Sequence, residues 1–362
     1  MPVSSRRVFL QSSVSAAALT GLTASGSSES MEKIRVGQIG TKHAHAGGKM
    51  ATFRKFSEVF QVVGVVEPDA ARRKSVEDTA TYRGVPFMDE DELLNTAGLQ
   101  AVAVETDIPQ LLPTARRCID AGMHIHLDKP AGTVLSEFRK ICALADRKNL
   151  MIQMGYMFRS NPAFRFLFSA VRKGWLGDVF QVHCEMSKKV GDGTRKELAQ
   201  YAGGSMFELG CHLIDAVVTV LGNPDKVTPF LRNTRPEYDE LMDNCLAVFE
   251  YPRATASIRS SVSEVDGGRR RQFVACGTRG TIVIQPLEPH VLTLTLEQSV
   301  EGFRRGTHTV ELPPSTGRYD GDMQHLAGVI RGQEAPEYNT AHDLAVQEAV
   351  LRASGMPLTQ DV

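Results

Sequence analysis

Short apolar runs alternate with longer amphipathic stretches between residue 33 and about residue 155. The runs have the length of buried strands, and the stretches between them repeat apolar residues at helical spacing. Strands separated by helices of this length predict a parallel, doubly wound α/β sheet. The predicted strands are residues 34–39, 61–66, 101–104, 124–127 and 152–155, and the predicted helices end at Phe56 and span residues 111–121.

The pattern changes beyond Asn161 and Pro162. Runs rich in β-branched residues are now bounded by Gly and Pro, which is typical of antiparallel strands. We predict an open, largely antiparallel sheet with helices on one face, and a final helix that packs back on the first domain. The predicted helices are 163–173, 206–221 and 340–354, the predicted strands are 179–186, 246–251, 255–263, 271–276, 281–284 and 291–296, and residues 187–202 form a polar loop.

Composition argues against several classes of function. The chain has 42% hydrophobic and 23% charged residues with a net charge of -1, so it lacks the broad positive field that attracts nucleic acid or an anionic membrane. The six cysteines contain no Cys-x-x-Cys pair, and no apolar stretch reaches the roughly 20 residues of a membrane span. We therefore expect no nucleic-acid partner, no membrane partner and no zinc ribbon.

The first 30 residues have the order of a twin-arginine export signal. Arg6 and Arg7 are followed by Phe9 and Leu10, then by a mild apolar stretch at residues 14–22 and a run of small and polar residues. This segment predicts a periplasmic or otherwise exported protein. The alternative is that translation starts internally at Met31, in which case the protein is cytoplasmic.

A dinucleotide site is predicted at the end of the first strand. Gly37 and Gly40 supply glycine where backbone N–H groups would meet a pyrophosphate, and Glu67 ends the next strand, where a carboxylate accepts from ribose hydroxyls. A carboxylate here favours NAD over NADP because it repels a 2'-phosphate, although a neighbouring cation can offset that repulsion. On this motif alone, an ordinary strand-to-helix turn is an equal alternative.

The same loop departs from the Gly-x-Gly-x-x-Gly pattern, because Lys42 and His45 stand at the second and third glycine positions. Lys42 either contacts the pyrophosphate with its side chain or crowds the cofactor out. His43 and His45 are imidazoles of the type that bind metals, but no third ligand is evident nearby in the sequence. We therefore expect no metal, and a loop that lines the cofactor cleft.

Two further clusters carry candidate chemistry. Asp128, Lys129 and Pro130 follow a predicted parallel strand, at the sheet edge where ligands bind in open α/β folds. On a predicted helix, Glu208 precedes His212 by four residues, so its carboxylate is expected to hydrogen-bond the imidazole and make it a general base. The alternatives are a surface Asp-Lys pair, a core histidine beside a solvated acid, and a metal pair formed by Glu208 and His212.

Taken together, the chain resembles the glucose-fructose oxidoreductase / inositol dehydrogenase / MocA family over roughly residues 33–355. The motifs that carry the resemblance are residues 36–40, 121–130 (the family usually has Glu-Lys-Pro), 155–162, 177–179 and 203–215. The resemblance implies an N-terminal Rossmann domain at residues 31–155, a substrate and oligomerisation α/β domain at 156–338, and a C-terminal helix segment at 339–362. It also implies a homo-oligomer, because the open sheet of this family often forms dimer contacts.

The resemblance implies roles for individual residues. Lys129 is the catalytic lysine, and His212 with Glu208 is the proton-transfer pair, with Glu208 standing where the family commonly has Asp and Asp128 where Glu is usual. The expected substrate contacts are Tyr156, Arg159 and Asp215, although Arg159 is equally compatible with a structural role. The expected cofactor-binding residues are Gly37, Gly40, Thr41, Lys42, His43, Glu67, Thr106, Asp128 and Lys129.

The function expected from these features is transfer of a hydride between a nicotinamide cofactor, NAD with NADP possible, and a secondary hydroxyl of a sugar or cyclitol. Because free nicotinamide nucleotide is scarce outside the cytoplasm, export favours a cofactor that stays bound. One alternative is redox-neutral, NAD-dependent hydrolysis or elimination of a glycoside. The other is a non-catalytic sugar-binding protein on a decayed oxidoreductase fold.

Overall fold

The N-terminal sheet consists of five parallel strands in the order β2-β1-β3-β4-β5. The structure is a computed structural model that describes residues 32–314 and 316–358. These strands are nearly continuous apolar runs, as expected for a parallel sheet that is buried on both faces. The predicted export signal at residues 1–30 lies outside the described residues. The strands are β1 (Ile34–Ile39), β2 (Phe60–Val66), β3 (Leu99–Val104), β4 (His124–Leu127) and β5 (Ile152–Met154).

Five helices connect and cover this sheet. Asp69 caps the second of them by accepting hydrogen bonds from the backbone N–H groups of Ala71 and Arg72, and thereby fixes the chain just beyond β2. The second and third helices were not predicted, because both are too short to show a clear hydrophobic period. The helices are α1 (Ala46–Lys55), α2 (Ala70–Val76), α3 (Glu90–Leu94), α4 (Ile108–Asp120) and α5 (Leu135–Lys148).

The second sheet has eight strands in the order β13-β12-β11-β10-β6-β9-β8-β7, and only the β6–β9 pair is parallel. The predicted α/β architecture with an open, largely antiparallel second sheet is therefore confirmed. The strands are β6 (Val179–Ser187), β7 (Lys226–Arg232), β8 (Asn244–Glu250), β9 (Thr255–Ser261), β10 (Gln272–Gly277), β11 (Gly280–Ile284), β12 (Leu292–Leu296) and β13 (Gly306–Val310).

The helices of this second part differ from the prediction at two places. Residues 187–202, predicted as a polar loop, contain a short helix, and the predicted helix 206–221 begins with a π-helical turn at Met206–Gly210. The last helix packs against both α5 and the helix that follows the π-helical turn. The helices are α6 (Pro162–Arg172), α7 (Asp192–Leu198), α8 (Cys211–Leu221), α9 (Asp320–Ile330) and α10 (Thr340–Ala353).

Candidate functional site

The turn after β1 is fixed by Gly40. Its φ angle is +89°, and a Cβ atom there would lie 2.6 Å from the backbone nitrogen of Thr106, which follows β3. Only glycine allows the two strand ends to approach so closely. Gly37 has a different role, because a Cβ atom there would meet the side chain of Leu93 inside the domain. Gly37 thus allows α3 to pack closely on β1, and its predicted contact with the cofactor stays a prediction.

Replacing Gly40 by alanine is expected to lower the free energy of unfolding by roughly 2–4 kcal/mol, because it adds both a positive-φ penalty and a backbone clash. Gly47→Ala is the matched control, since Gly47 lies in α1 with open space around its Cα. The free energy of unfolding of Gly47→Ala should rise by roughly 0.5–1 kcal/mol, because alanine is a better helix former than glycine. Urea unfolding of both variants tests this, and equal effects of the two changes would contradict it.

Glu67 lies beside this turn and holds it in place. Its carboxylate accepts hydrogen bonds from the backbone N–H and the hydroxyl of Thr41, at 2.9 and 2.6 Å, and from the N–H of Asp69 at 3.1 Å. A cavity of about 570 Å³ adjoins it, lined by Gly40, Glu67 and Thr106 among others. Its volume is in the range of small-molecule sites, and its place at the carboxyl ends of parallel strands fits the adenosine half of a dinucleotide.

Lys42 lies between this cavity and a second one. Its side chain is 45% exposed, pairs loosely with Asp69 at 3.4 Å, and lines both cavities. The second cavity, of about 360 Å³, is also lined by His43, Lys188 and Glu208. Of the two predicted alternatives for Lys42, this position favours contact with a pyrophosphate that runs from one cavity to the other. The residues present therefore fit a dinucleotide despite the missing glycines.

A buried polar cluster lies beneath the loop, and sequence reasoning missed half of it. The cluster consists of His43, His45, Lys49, Glu105, His126 and Asp128. Lys49 contacts Glu105 Oε1 at 3.3 Å, Asp128 Oδ2 at 3.4 Å and the ring of His126. Glu105 directly follows β3 just as Asp128 follows β4, and this strand-end position was the available sequence signal. Asp128 is completely buried and lines neither cavity, and its predicted contact with the cofactor stays a prediction.

Asp128 is a potential third metal ligand beside His43 and His45, which was not evident from the sequence. The Nδ1 atoms of His43 and His45 lie 3.0 and 3.2 Å from its Oδ2 atom, so a third residue of metal-ligating type stands beside the two histidines. Burial lowers the pKa of His45 to about 4 although Asp128 opposes this shift, and burial with the nearby Lys49 lowers the pKa of His126 to about 3. Burial opposes ionisation of Asp128, but His43 and Lys49 hold its pKa well below the usual range.

Lys129 is paired with Glu208. The ammonium donates to the backbone oxygen of Glu208 at 2.7 Å and to its Oε1 atom at 2.8 Å. Burial opposes both charges, but Glu208 raises the pKa of Lys129, while Lys129 and Lys188 lower the pKa of Glu208 to about 2. An ammonium has three N–H donors, so this pairing leaves Lys129 one donor for a ligand.

The predicted hydrogen bond between Glu208 and His212 is wrong. Glu208 lies in the π-helical turn, whose wider winding removes the i, i+4 alignment with His212 that an α-helix would give. His212 Nδ1 is buried without a hydrogen-bond partner. Burial and the charge of Lys129 hold the pKa of His212 well below its usual value, so its imidazole is neutral. Its ring lies near those of His45 and Tyr156, at centroid distances of 6.3 and 6.1 Å.

Arg159 and Asp215 form a buried ion pair. Arg159 Nη2 donates to Asp215 Oδ1 and to Asp343 Oδ1, both at 2.6 Å, and the guanidinium stacks over the ring of Tyr156. All three charged side chains are at most 8% exposed. Arg159 and Asp215 therefore have a structural role, which joins α8 and α10 to the segment after β5, and their predicted contact with substrate stays a prediction. Tyr156 is buried beside His212, and its substrate role stays a prediction.

Helix α7 forms the outer wall of the second cavity, through Thr194, Glu197 and Leu198. Arg195 fixes this helix, because its guanidinium binds Asp239 Oδ2 at 2.6 Å and Asp243 Oδ2 at 2.9 Å while being only 2% exposed. The polar composition that predicted a loop thus marks a helix anchored by ion pairs.

Among the described residues, no helix combines the length and hydropathy that crossing a bilayer requires.

Comparison with known proteins identifies both halves of the chain. Residues 34–156 match the oxidoreductase family with the NAD-binding Rossmann fold, and residues 164–283 match the GFO/IDH/MocA C-terminal domain. An uncharacterized oxidoreductase of Schizosaccharomyces pombe is 24% identical over 237 residues, which is 64% of either chain. The trans-1,2-dihydrobenzene-1,2-diol dehydrogenase of Bos taurus is 26% identical over 71% of this chain and 74% of its own.

Solved structures agree on the fold. UDP-N-acetylglucosamine 3-dehydrogenase from Acidithiobacillus ferrooxidans superposes with a TM-score of 0.74 at 18% identity, over 91% of this chain and 99% of its own. The two family matches occur in their natural order and together cover about two thirds of the chain. The protein therefore belongs to the GFO/IDH/MocA family of oxidoreductases, whose N-terminal domain binds a nicotinamide dinucleotide.

Proposed function

We propose that this protein transfers a hydride between a tightly retained NAD and a secondary hydroxyl of a sugar or cyclitol. The observation that carries the proposal is the buried Lys129–Glu208 pair beside a neutral His212, with Glu208 lining the second cavity, which shares Lys42 with the predicted adenosine site. Relatives that act on a diol or a nucleotide sugar support the substrate class. When bound, NAD supplies the hydride acceptor and donor of the reaction.

Lys129 serves as a fixed positive charge. Its raised pKa keeps the ammonium charged throughout the physiological range, and Glu208 holds it in one position. A substrate oxygen at its remaining N–H donor would be stabilised as negative charge develops on it. Glu208, with its pKa of about 2, acts as a positioning residue rather than as a proton acceptor.

His212 receives the hydroxyl proton. Its Nδ1 atom is buried without a partner, so Nε2 is the nitrogen assigned to the substrate hydroxyl. The imidazole is neutral because burial and Lys129 disfavour the charged form, and a general base must be neutral to accept a proton.

The pH profile tests this role. We expect kcat/KM to stay constant from about pH 8 down to about pH 6, because the lowered pKa of His212 keeps the base in its neutral form below the ordinary histidine value of about 6.5. His212→Asn should remove most of the activity at every pH. A fall in kcat/KM with an inflection near pH 6.5 would contradict the assigned state of His212.

The preference for NAD rests on Glu67, whose carboxylate lines the adenosine cavity and would repel a 2'-phosphate. Arg73 lines the same cavity and is the neighbouring cation that would offset this repulsion. Retention of the cofactor follows from the proposed export, with residues 1–30 as a twin-arginine signal, because an exported enzyme has no supply of free nucleotide.

The deciding experiment denatures the purified mature protein and assays the supernatant for nicotinamide nucleotide by absorbance and mass. We expect about one NAD per chain, and its reduction at 340 nm when the native protein is mixed with panels of sugars and cyclitols. No bound nucleotide and no binding of added NAD or NADP would overturn the proposal. That outcome would leave the second candidate, a sugar-binding protein, which the two replaced glycines favour.

The redox-neutral alternative uses the same residues. If NAD is reduced and reoxidised within one cycle, the first half-reaction is the same hydride transfer, and elimination or hydrolysis of a glycoside follows. Incubation with aryl glycosides separates the cases, because release of the aryl alcohol without net reduction of NAD occurs only in the redox-neutral cycle.

We also propose that the protein forms a homo-oligomer through the open face of the eight-stranded sheet. Phe230 on β7 and Leu246 on β8 lie directly opposite each other and are 44% and 36% exposed, which makes a shared apolar surface. Phe230→Glu should shift the mass measured by light scattering towards the monomer, whereas Tyr238→Glu, outside the sheet, should not. A monomeric parent protein would contradict this.

A further inference from the structure

The hydrogen bonds of His43 fix which of its ring nitrogens carries a proton. Nε2 lies 3.2 Å from the backbone oxygen of Lys129, and a carbonyl oxygen only accepts, so Nε2 carries the hydrogen. A neutral imidazole has one N–H, so Nδ1 then presents a lone pair. The backbone N–H of His45 points to this Nδ1 at 3.4 Å, which agrees with an acceptor there.

This arrangement places two lone pairs face to face. Nδ1 of His43 lies 3.0 Å from Oδ2 of Asp128, and Asp128 is completely buried. The ammonium of Lys49 contacts Oδ2 at 3.4 Å and offsets part of its charge, but a favourable contact between two acceptors at this distance still needs a proton or a metal ion between them. Either a second proton on His43 or a bound cation would supply the positive charge.

The surrounding atoms match a metal site. Nδ1 of His45 lies 3.2 Å from both carboxylate oxygens of Asp128, and the ligand atoms of the three residues lie within 4.8 Å of one another. A tetrahedral Zn²⁺ with bonds of about 2.0–2.1 Å sets its ligand atoms about 3.3 Å apart. A histidine ligand commonly donates its other N–H to a backbone carbonyl, as His43 does to Lys129.

We propose that His43, His45 and Asp128 bind one divalent transition-metal ion of the class that prefers imidazole, such as Zn²⁺. This proposal departs from the expectation of no metal at the two histidines, which rested on the lack of a third ligand close in sequence. The site lies at the amino end of α1, directly beside Lys129. Three protein ligands leave a coordination position open, and because His43 lines the second cavity, that position is available to a water or a substrate oxygen.

The charges of the buried cluster are compatible with a cation. Two carboxyl groups, those of Asp128 and Glu105, face the single ammonium of Lys49. Glu105 Oε2 is buried and has no hydrogen-bond partner. The Asp128 carboxylate is also held by the N–H of Lys129 at 2.7 Å, which orients it towards the imidazoles.

Metal binding itself is the test, and its outcome does not depend on whether the proposed reaction is right. The full mature protein is treated with a chelator, dialysed and titrated with Co²⁺. We expect about one Co²⁺ per chain by elemental analysis, with visible absorption bands of a four- or five-coordinate ion. His45→Ala should weaken binding at least about 100-fold. His45 is chosen because its side chain is the most exposed of the three ligands, at 17%.

His308→Ala is the matched control, because His308 lies on β13 and bonds only a backbone oxygen through its ring. This variant should bind Co²⁺ like the parent protein. Absence of stoichiometric binding, or equal affinity in His45→Ala, overturns the proposal. In that case nitrogen NMR at pH 7 should show both nitrogens of His43 protonated without any metal, as an ordinary ion pair with Asp128 requires.

Discussion

Lys129→Met is expected to lower the rate of substrate-driven NAD reduction by about 1,000-fold while the protein stays folded and keeps its cofactor. The reason is electrostatic: the ammonium is the group whose charge faces a developing alkoxide, and such preorganised charges typically contribute factors of this size. Lys129 is buried and held by Glu208, and the methionine side chain that replaces it carries no charge at that position. The measurement is the single-turnover absorbance change at 340 nm with a sugar identified in the screen.

The control for this variant is Lys140→Met, whose side chain is 63% exposed and pairs only with Glu137 on the surface of α5. It should reduce NAD at the parent rate. Cofactor content is measured on both variants, since a loss of NAD from Lys129→Met would show that the residue holds the cofactor rather than stabilising the transition state. A parent-like rate in Lys129→Met would contradict the assigned role.

Arg159→Met should lower the free energy of unfolding by about 3–5 kcal/mol, because it leaves the buried carboxyl groups of Asp215 and Asp343 without their cation. Urea unfolding at pH 7 measures the loss. The unpaired carboxyl groups should acquire raised pKa values in the folded variant, so they bind protons more readily there than in the unfolded chain. The difference in the free energy of unfolding between the parent protein and Arg159→Met should therefore shrink as the pH is lowered from about 8 to about 5.

Two comparison variants sharpen this prediction. Arg165→Met removes a partly exposed ion pair with Glu337 and should lower the free energy of unfolding by less than about 1 kcal/mol. Arg159→Met combined with Asp215→Asn should recover part of the stability, because one uncompensated charge is removed. If Arg159 were instead a substrate contact, stability would hardly change and only KM would rise.

Much of the fold was accessible from the sequence because strand and helix periodicities are local. The bounds of β1 and β4 were predicted without error, since buried parallel strands form continuous apolar runs. The edge strands β7 and β13 were missed. Pro229 lies within β7, where an edge position tolerates a missing N–H, and β13 alternates threonine with other residues that do not form an apolar face.

The candidate site was accessible only in part. Lys129 and Glu67 were found because residues at the carboxyl ends of parallel strands meet at one edge of the sheet. The partner of Glu208 was predicted wrongly, because nothing local reveals that the chain winds as a π-helix between Met206 and Gly210. Arg159 likewise offered two interpretations until its buried partners were seen.

The sequence by itself determined the architecture of two sheets, the strand-end positions of the candidate residues and the family, because each depends on patterns within short segments. The tertiary structure alone decided which charges pair. His45 and Asp128 are 83 residues apart in the chain yet share a contact of 3.2 Å. Such a pairing depends on the relative position of two strand ends in space, and no local periodicity encodes it. The proposed metal site could therefore be inferred only after folding had brought its three ligands together.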